Sequence, residues 1–111
     1  MKLSLKNILV GAILAAIAAF AFAAPVAENW ENHCAKCHGA DGKGQTKAGK
    51  KLQVKDYTDA KVQEAMKDDA AAKAIKEGIM EGGKKKMDPY KDKLSDDEIK
   101  ALIAHMRTFK K

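Results

Sequence analysis

The chain has 111 residues, among them 21 Lys and Arg, 15 Asp and Glu and two cysteines, with a formal net charge of +6. This length suits one small domain, and the modest charge gives no reason to expect a nucleic-acid partner. Two cysteines are too few for a disulfide framework, and the sequence has no internal repeat, so a disulfide-rich scaffold and a repeat protein are both excluded.

The N-terminus has the pattern of an export signal. Lys2 and Lys6 form a charged region, the stretch from Ile8 to Phe22 is continuously apolar, and small residues flank Phe22 as in a cleavage site. We therefore predict that the signal is cleaved after Ala23.

Cleavage would remove residues 1–23 and leave 24–111 as a single exported domain. We expect this domain to be soluble and periplasmic, with no membrane insertion once the signal is gone. An uncleaved membrane anchor is the alternative, because the apolar run continues to Ala27 with only Pro25 interrupting it, and a membrane span needs about 20 residues.

The motif C-A-K-C-H at residues 34–38 is the pattern of covalent c-type haem attachment, in which two thiols bond the porphyrin and the histidine ligates its iron. Trp30, Cys34, Cys37 and His38 are spaced so that one helix would present all four on the same face. A thioredoxin-type pair would need a βαβ pattern, and the histidines lack zinc-finger spacing. We predict one haem c, bonded by Cys34 and Cys37 and ligated by His38.

The middle of the chain predicts a loop followed by two short helices. Residues 39–55 are rich in glycine and lysine and indicate a loop, in which a carbonyl of residues 46–51 would accept the Nδ1 proton of His38. Helical spacing over residues 58–67 and 69–77 predicts two packing helices.

The last helix is the clearest element of the sequence. Residues 78–93 read as irregular, after which Ser95 and Glu98 have the spacing of a capping box. An apolar stripe follows at helical spacing, made of Ile99, Leu102, Ile103, Met106 and Phe109. His105 lies off the stripe and is expected to face solvent. Helices at both ends, short helices between them and no strand predict an all-α domain.

In this order, the parts resemble the class I c-type cytochromes, small bacterial carriers of the cytochrome c6 or c551 kind. The resemblance rests on Trp30 four residues before the motif, G-A-D-G-K-G after it, a methionine near a proline, and L-S-D-D-E-I opening the terminal helix. It covers essentially all of residues 24–111. It implies a small cytochrome c fold, with three to four helices wrapped around one haem and with crossing terminal helices.

The resemblance also implies a methionine as sixth ligand of the iron, and by position this is Met87. Met66 and Met106 lie on predicted helical faces, so Met80 is the alternative ligand. The family usually has methionine directly before proline, whereas here Asp88 separates the two. It also has a glycine at the helix crossing, where this chain has Val26, which suggests a wider crossing.

Axial positions filled by His38 and Met87 predict a one-electron carrier and not an enzyme. We expect a monomer whose donor and acceptor are redox proteins with acidic docking surfaces, attracted by the lysines at 84–86 and 43–51. The alternatives are a haem subunit or domain of a redox enzyme, and a haem peroxidase or gas sensor with a labile sixth ligand.

Overall fold

Six helical segments and one two-stranded hairpin make up residues 24–111, the part of the chain that the computed structural model describes. The predicted signal lies outside these described residues. In chain order the elements are α1 (Val26–His33), α2 (Ala35–His38), α3 (Lys47–Leu52), α4 (Ala60–Ala65), α5 (Asp68–Glu77), β1 (Ile79–Glu81), β2 (Lys84–Met87) and α6 (Asp96–Arg107). The mainly helical architecture is confirmed, and within these residues no helix is long and apolar enough to span a membrane.

The terminal helices pack against each other and build the core between them. Trp30 of α1 lies in one cluster with the apolar stripe of α6, where Leu102 has no exposed surface. The predicted capping box is present, with Ser95 accepting from the Glu98 amide and Glu98 accepting from the Ser95 amide, both at 3.1 Å. A buried amide, Asn29, adds a bond of 2.8 Å to the Glu98 carboxylate across the helix pair.

The antiparallel hairpin corrects the sequence-based prediction of an irregular segment over residues 78–93. β1 and β2 pair Met80 with Lys85, and Gly82 and Gly83 connect them at φ angles of +56° and +77°. Two consecutive residues with positive φ form the turn that joins twisted strands most readily, and glycine adopts this conformation without strain. Turn geometry therefore produces a hairpin from a lysine-rich segment in which Ile79 is the only β-branched residue.

Helix α3 is a second correction, because residues 39–55 were expected to form a loop throughout. The Thr46 hydroxyl accepts a 2.9 Å bond from the Gly49 amide and so caps the first turn. The helix ends at Leu52, and the next residue, Gln53, has a left-handed backbone at φ 57°. A lysine-rich stretch with a single leucine carries no apolar period, so its N-cap was the only sequence signal of a helix.

Candidate functional site

The cysteine–histidine motif lies on a nearly continuous helical segment made of α1 and α2. Cys34 occupies the joint between the two helices, with φ −118°, and Cys37 and His38 follow in α2. The predicted common face is confirmed, since Trp30, Cys34, Cys37 and His38 all line one cavity. Both thiols are free, and Cys34 is buried.

This cavity has a volume of about 570 Å³ and a predominantly apolar lining. Its walls come from every part of the described fold, including Tyr57, Ile75 of α5, Met87 of β2 and Leu102 of α6. The volume lies within the range of cofactor sites, about 300–1,000 Å³. One apolar cavity is therefore lined by both the motif and the predicted sixth ligand.

The residues present fit a covalently attached haem. Burial lowers the pKa of His38, which favours the neutral imidazole that binds metal ions. Burial, and secondarily the neighbouring Cys37, raises the pKa of the Cys34 thiol to about 11. A raised pKa keeps the Cys34 thiol protonated at neutral pH, which makes it a poor nucleophile for thiol–disulfide exchange. Within residues 24–111, no cluster of three or more His, Cys, Asp or Glu side chains could hold a separate metal ion.

Helix α3 supports the attachment segment through its own first turn. The Thr46 hydroxyl donates a 2.9 Å bond to the carbonyl of Cys37. Gly49 allows this close approach, because an added Cβ would lie 2.6 Å from the Gly44 carbonyl oxygen and closer still to that of Cys37. A side chain at this position would push α3 away from the motif.

The Nδ1 atom of His38 is buried and has no hydrogen-bond partner among the described residues. The prediction that a carbonyl of residues 46–51 accepts its proton is therefore wrong in this structure. The reason is the unexpected helix: the carbonyls of Thr46, Gly49 and Lys50 accept from backbone amides of their own segment. In a loop, these carbonyls would be free to accept a hydrogen bond from His38, whereas in a capped helix they already accept from backbone amides.

Two aromatic rings hold the His38 imidazole in place. The Trp30 ring centroid lies 5.8 Å from that of His38, and the Tyr57 centroid lies 5.3 Å from it. Trp30 is itself fixed by a buried 2.9 Å bond from its indole nitrogen to the Gly39 carbonyl. The predicted ligand therefore has a defined setting even without a partner on Nδ1.

The two candidate loop methionines occupy different environments. Met87 is half-buried at the end of β2 and lines the cavity. Met80, in β1, is 64% exposed and is absent from the cavity wall. Met66 and Met106 also line the cavity, as parts of its wall. Position thus favours Met87 over Met80, and ligation by Met87 stays a prediction.

His105 corrects a further prediction, because its ring is half-buried instead of solvated. It lies 5.5 Å from the Trp30 ring and 5.1 Å from that of Phe109. Helical periodicity places His105 beside the apolar stripe of α6. Only the folded structure shows that the Trp30 ring also packs against the His105 ring. Sequence reasoning also missed the buried Gln63, whose neighbours become known only when the chain is folded.

Comparisons with known proteins agree with this geometry. The Cytochrome c family model matches residues 23–110. A solved structure described as the KustC0563 c-type cytochrome is 35% identical, with a TM-score of 0.71, and the match covers 79% of this chain and 100% of that one. A mutant of the same protein, also 35% identical, gives a TM-score of 0.67 and coverages of 77% and 98%. No match was found among curated protein sequences.

Proposed function

The chain belongs to the cytochrome c family and binds haem c covalently, and we propose that it is a periplasmic monohaem carrier of single electrons between redox proteins. The observation that supports this most directly is the single cavity, which the motif thiols, His38 and Met87 all line.

Each residue type at the site has a distinct part in this function. Cys34 and Cys37 hold the cofactor, and His38 offers a neutral nitrogen to the metal. When bound, the haem supplies one-electron chemistry at its iron. Met87 offers a thioether, which favours the reduced metal and raises the reduction potential relative to a second nitrogen ligand. The mainly apolar wall would limit the access of water to the bound haem.

Optical spectra of the purified holoprotein test the ligand set. We expect a low-spin ferric spectrum with the weak far-red band that methionine sulfur gives in this family. Met87→Ala should abolish that band, and Met80→Ala is the matched control that should leave it unchanged. A band that persists in Met87→Ala and disappears in Met80→Ala would reverse the assignment. A high-spin wild-type spectrum would instead favour a peroxidase or gas sensor with an open sixth position.

We further propose that partners dock on the basic segment of residues 36–55. It contains one acid, Asp41, and six lysines, at positions 36, 43, 47, 50, 51 and 55. None of these lysines forms a salt bridge within the described part of the chain. In contrast, Lys85 of the hairpin pairs with Asp88 at 2.8 Å.

This segment also adjoins the cofactor site. Residues 52–55 line the cavity, and Lys36, Lys47 and Lys51 surround a shallow depression over Ala48. An apolar centre with a charged rim is the usual composition of a transient protein interface. Unpaired positive charge beside the haem suits a redox partner with an acidic docking surface.

Electron-transfer rates with an acidic redox protein test the docking proposal. We expect the rate to fall as ionic strength rises, because salt screens exposed charges over about 10 Å at 0.1 M. Lys47→Gln with Lys51→Gln should reduce the rate at low salt. Lys73→Gln, on the exposed face of α5, removes a lysine that pairs with Glu77 and should have little effect. Equal rates at low and high salt would refute the proposed steering.

A further inference from the structure

Gln63 is a buried polar residue for which the carrier function has no direct use. Gln63 is only 4% exposed and lies in the short helix α4. The side-chain amide donates to the carbonyl of Tyr57 at 2.7 Å and to the carbonyl of Met106 at 2.8 Å. Both amide hydrogens are thus used, and they connect segments 43 positions apart in sequence.

Arg107 completes a network around Gln63. One guanidinium nitrogen donates to the Gln63 backbone carbonyl at 2.6 Å and to its side-chain oxygen at 3.2 Å. The other donates to the Met66 carbonyl at 2.6 Å and to the Asp68 carboxylate at 2.7 Å. The planar, forked guanidinium is suited to binding several acceptors at fixed angles.

The peptide groups held by this network belong to the wall of the haem cavity. Tyr57, Met66 and Met106 each have a carbonyl bound by Gln63 or Arg107, and the same three residues line the cavity. Tyr57 is fixed from both sides, since its amide also donates to the Gly42 carbonyl at 2.8 Å. Its ring in turn lies against the predicted axial ligand, His38.

We propose that Gln63 is a positioning residue, which keeps the wall formed by Tyr57 and Met106 closed beside His38 and thereby maintains a high reduction potential. The inference rests on the proposed carrier function. Without the two amide bonds, the Tyr57 carbonyl loses its partner and must turn towards water, while Met106, whose carbonyl still accepts from the Phe109 amide, loses its connection to α4, and the wall opens. Water at the haem favours the ferric state, because that state carries one more positive charge.

The test compares the holoproteins of Gln63→Met and Asn29→Leu with wild type. Methionine has a similar length to glutamine but donates no hydrogen bond. Asn29 is the matched control, a buried amide bonded to Glu98 at 2.8 Å, and neither residue lines the cavity. Both variants should unfold at lower temperature, but only Gln63→Met should change the reduction potential.

At the wild-type midpoint potential, we expect Gln63→Met to raise the ferric-to-ferrous ratio at least about threefold, or about 28 mV at 59 mV per tenfold. The inference would be overturned if Gln63→Met lost stability with an unchanged ferric-to-ferrous ratio. It would also be overturned if Asn29→Leu changed that ratio as much as Gln63→Met does. If Gln63→Met yields no holoprotein, Gln63→Leu takes its place, because leucine is also uncharged and also lacks the two amide bonds to Tyr57 and Met106. A wild-type protein without a reversible one-electron couple would overturn the carrier function and this inference together, whereas an unchanged Gln63→Met overturns only the inference.

Discussion

Gly49→Ala tests the support that α3 gives to the haem-attachment segment. Helix propensity alone predicts that alanine stabilises this helical position by about 0.5–1 kcal/mol. The added Cβ would, however, lie 2.6 Å from the Gly44 carbonyl oxygen and closer to that of Cys37, both of which are backbone atoms. Such overpacking costs about 1–3 kcal/mol, and displacement of α3 would also break the bond from Thr46 to Cys37, worth about 1 kcal/mol.

The unfavourable effects exceed the gain, so we expect Gly49→Ala to destabilise the holoprotein by about 2 kcal/mol and to lower its Tm by about 10 °C. Thermal unfolding followed by far-UV circular dichroism measures the change. Gly82→Ala is the matched control, because its Cβ would meet no atom within 4 Å. We expect it to lose only about 1 kcal/mol of stability, which is the cost of a left-handed backbone for alanine. A Gly49→Ala protein that unfolds at or above the wild-type temperature would refute the close approach of α3 to Cys37.

Two further predictions concern assembly and acid stability. Cys37→Ser should sharply lower the yield of holoprotein, because the haem-free chain must fold around a cavity of about 570 Å³. Lys36→Ser, at the exposed neighbouring position, is the control and should leave the yield unchanged. Normal helical content in haem-free protein would argue against this reasoning. The Ser95 amide and then the Asn29 side chain lower the pKa of Glu98, so its contribution to stability is present above the unfolded value of about 4.3 and is lost as the pH falls through the folded value. The Tm difference between wild type and Glu98→Gln should therefore shrink on acidification, and a difference independent of pH would contradict this assignment.

Local signals in the sequence were sufficient where a few neighbouring residues determine the structure. The capping box at Ser95 specified the start of α6, and the spacing of the motif specified which four side chains share a face. Both depend only on the spacing of residues that are close together in the chain. The choice of Met87 over Met80 depended on resemblance to a family whose ligand methionine lies near a proline, as Met87 lies near Pro89 here.

Prediction from sequence failed where a tertiary contact or an unrecognised turn decides the structure. The hairpin depends on the backbone conformation of Gly82 and Gly83, and the lysines of β2 have no strand preference of their own. Gln63 looked like an ordinary polar helix residue, because its partners Tyr57 and Met106 are brought to it only by folding. A pattern confined to one element carries no information about such partners.

The position of the core residues along the chain makes the first helix depend on the last one. The N-terminal part of the core is paired with α6, and the bond between Asn29 and Glu98 joins residues 69 positions apart. Contacts this distant in sequence cannot form until synthesis has reached α6. Cys34 belongs to the same buried cluster as the α6 side chains, so its burial depends on α6. We therefore expect a chain truncated before α6 to leave the Cys34 thiol exposed to solvent.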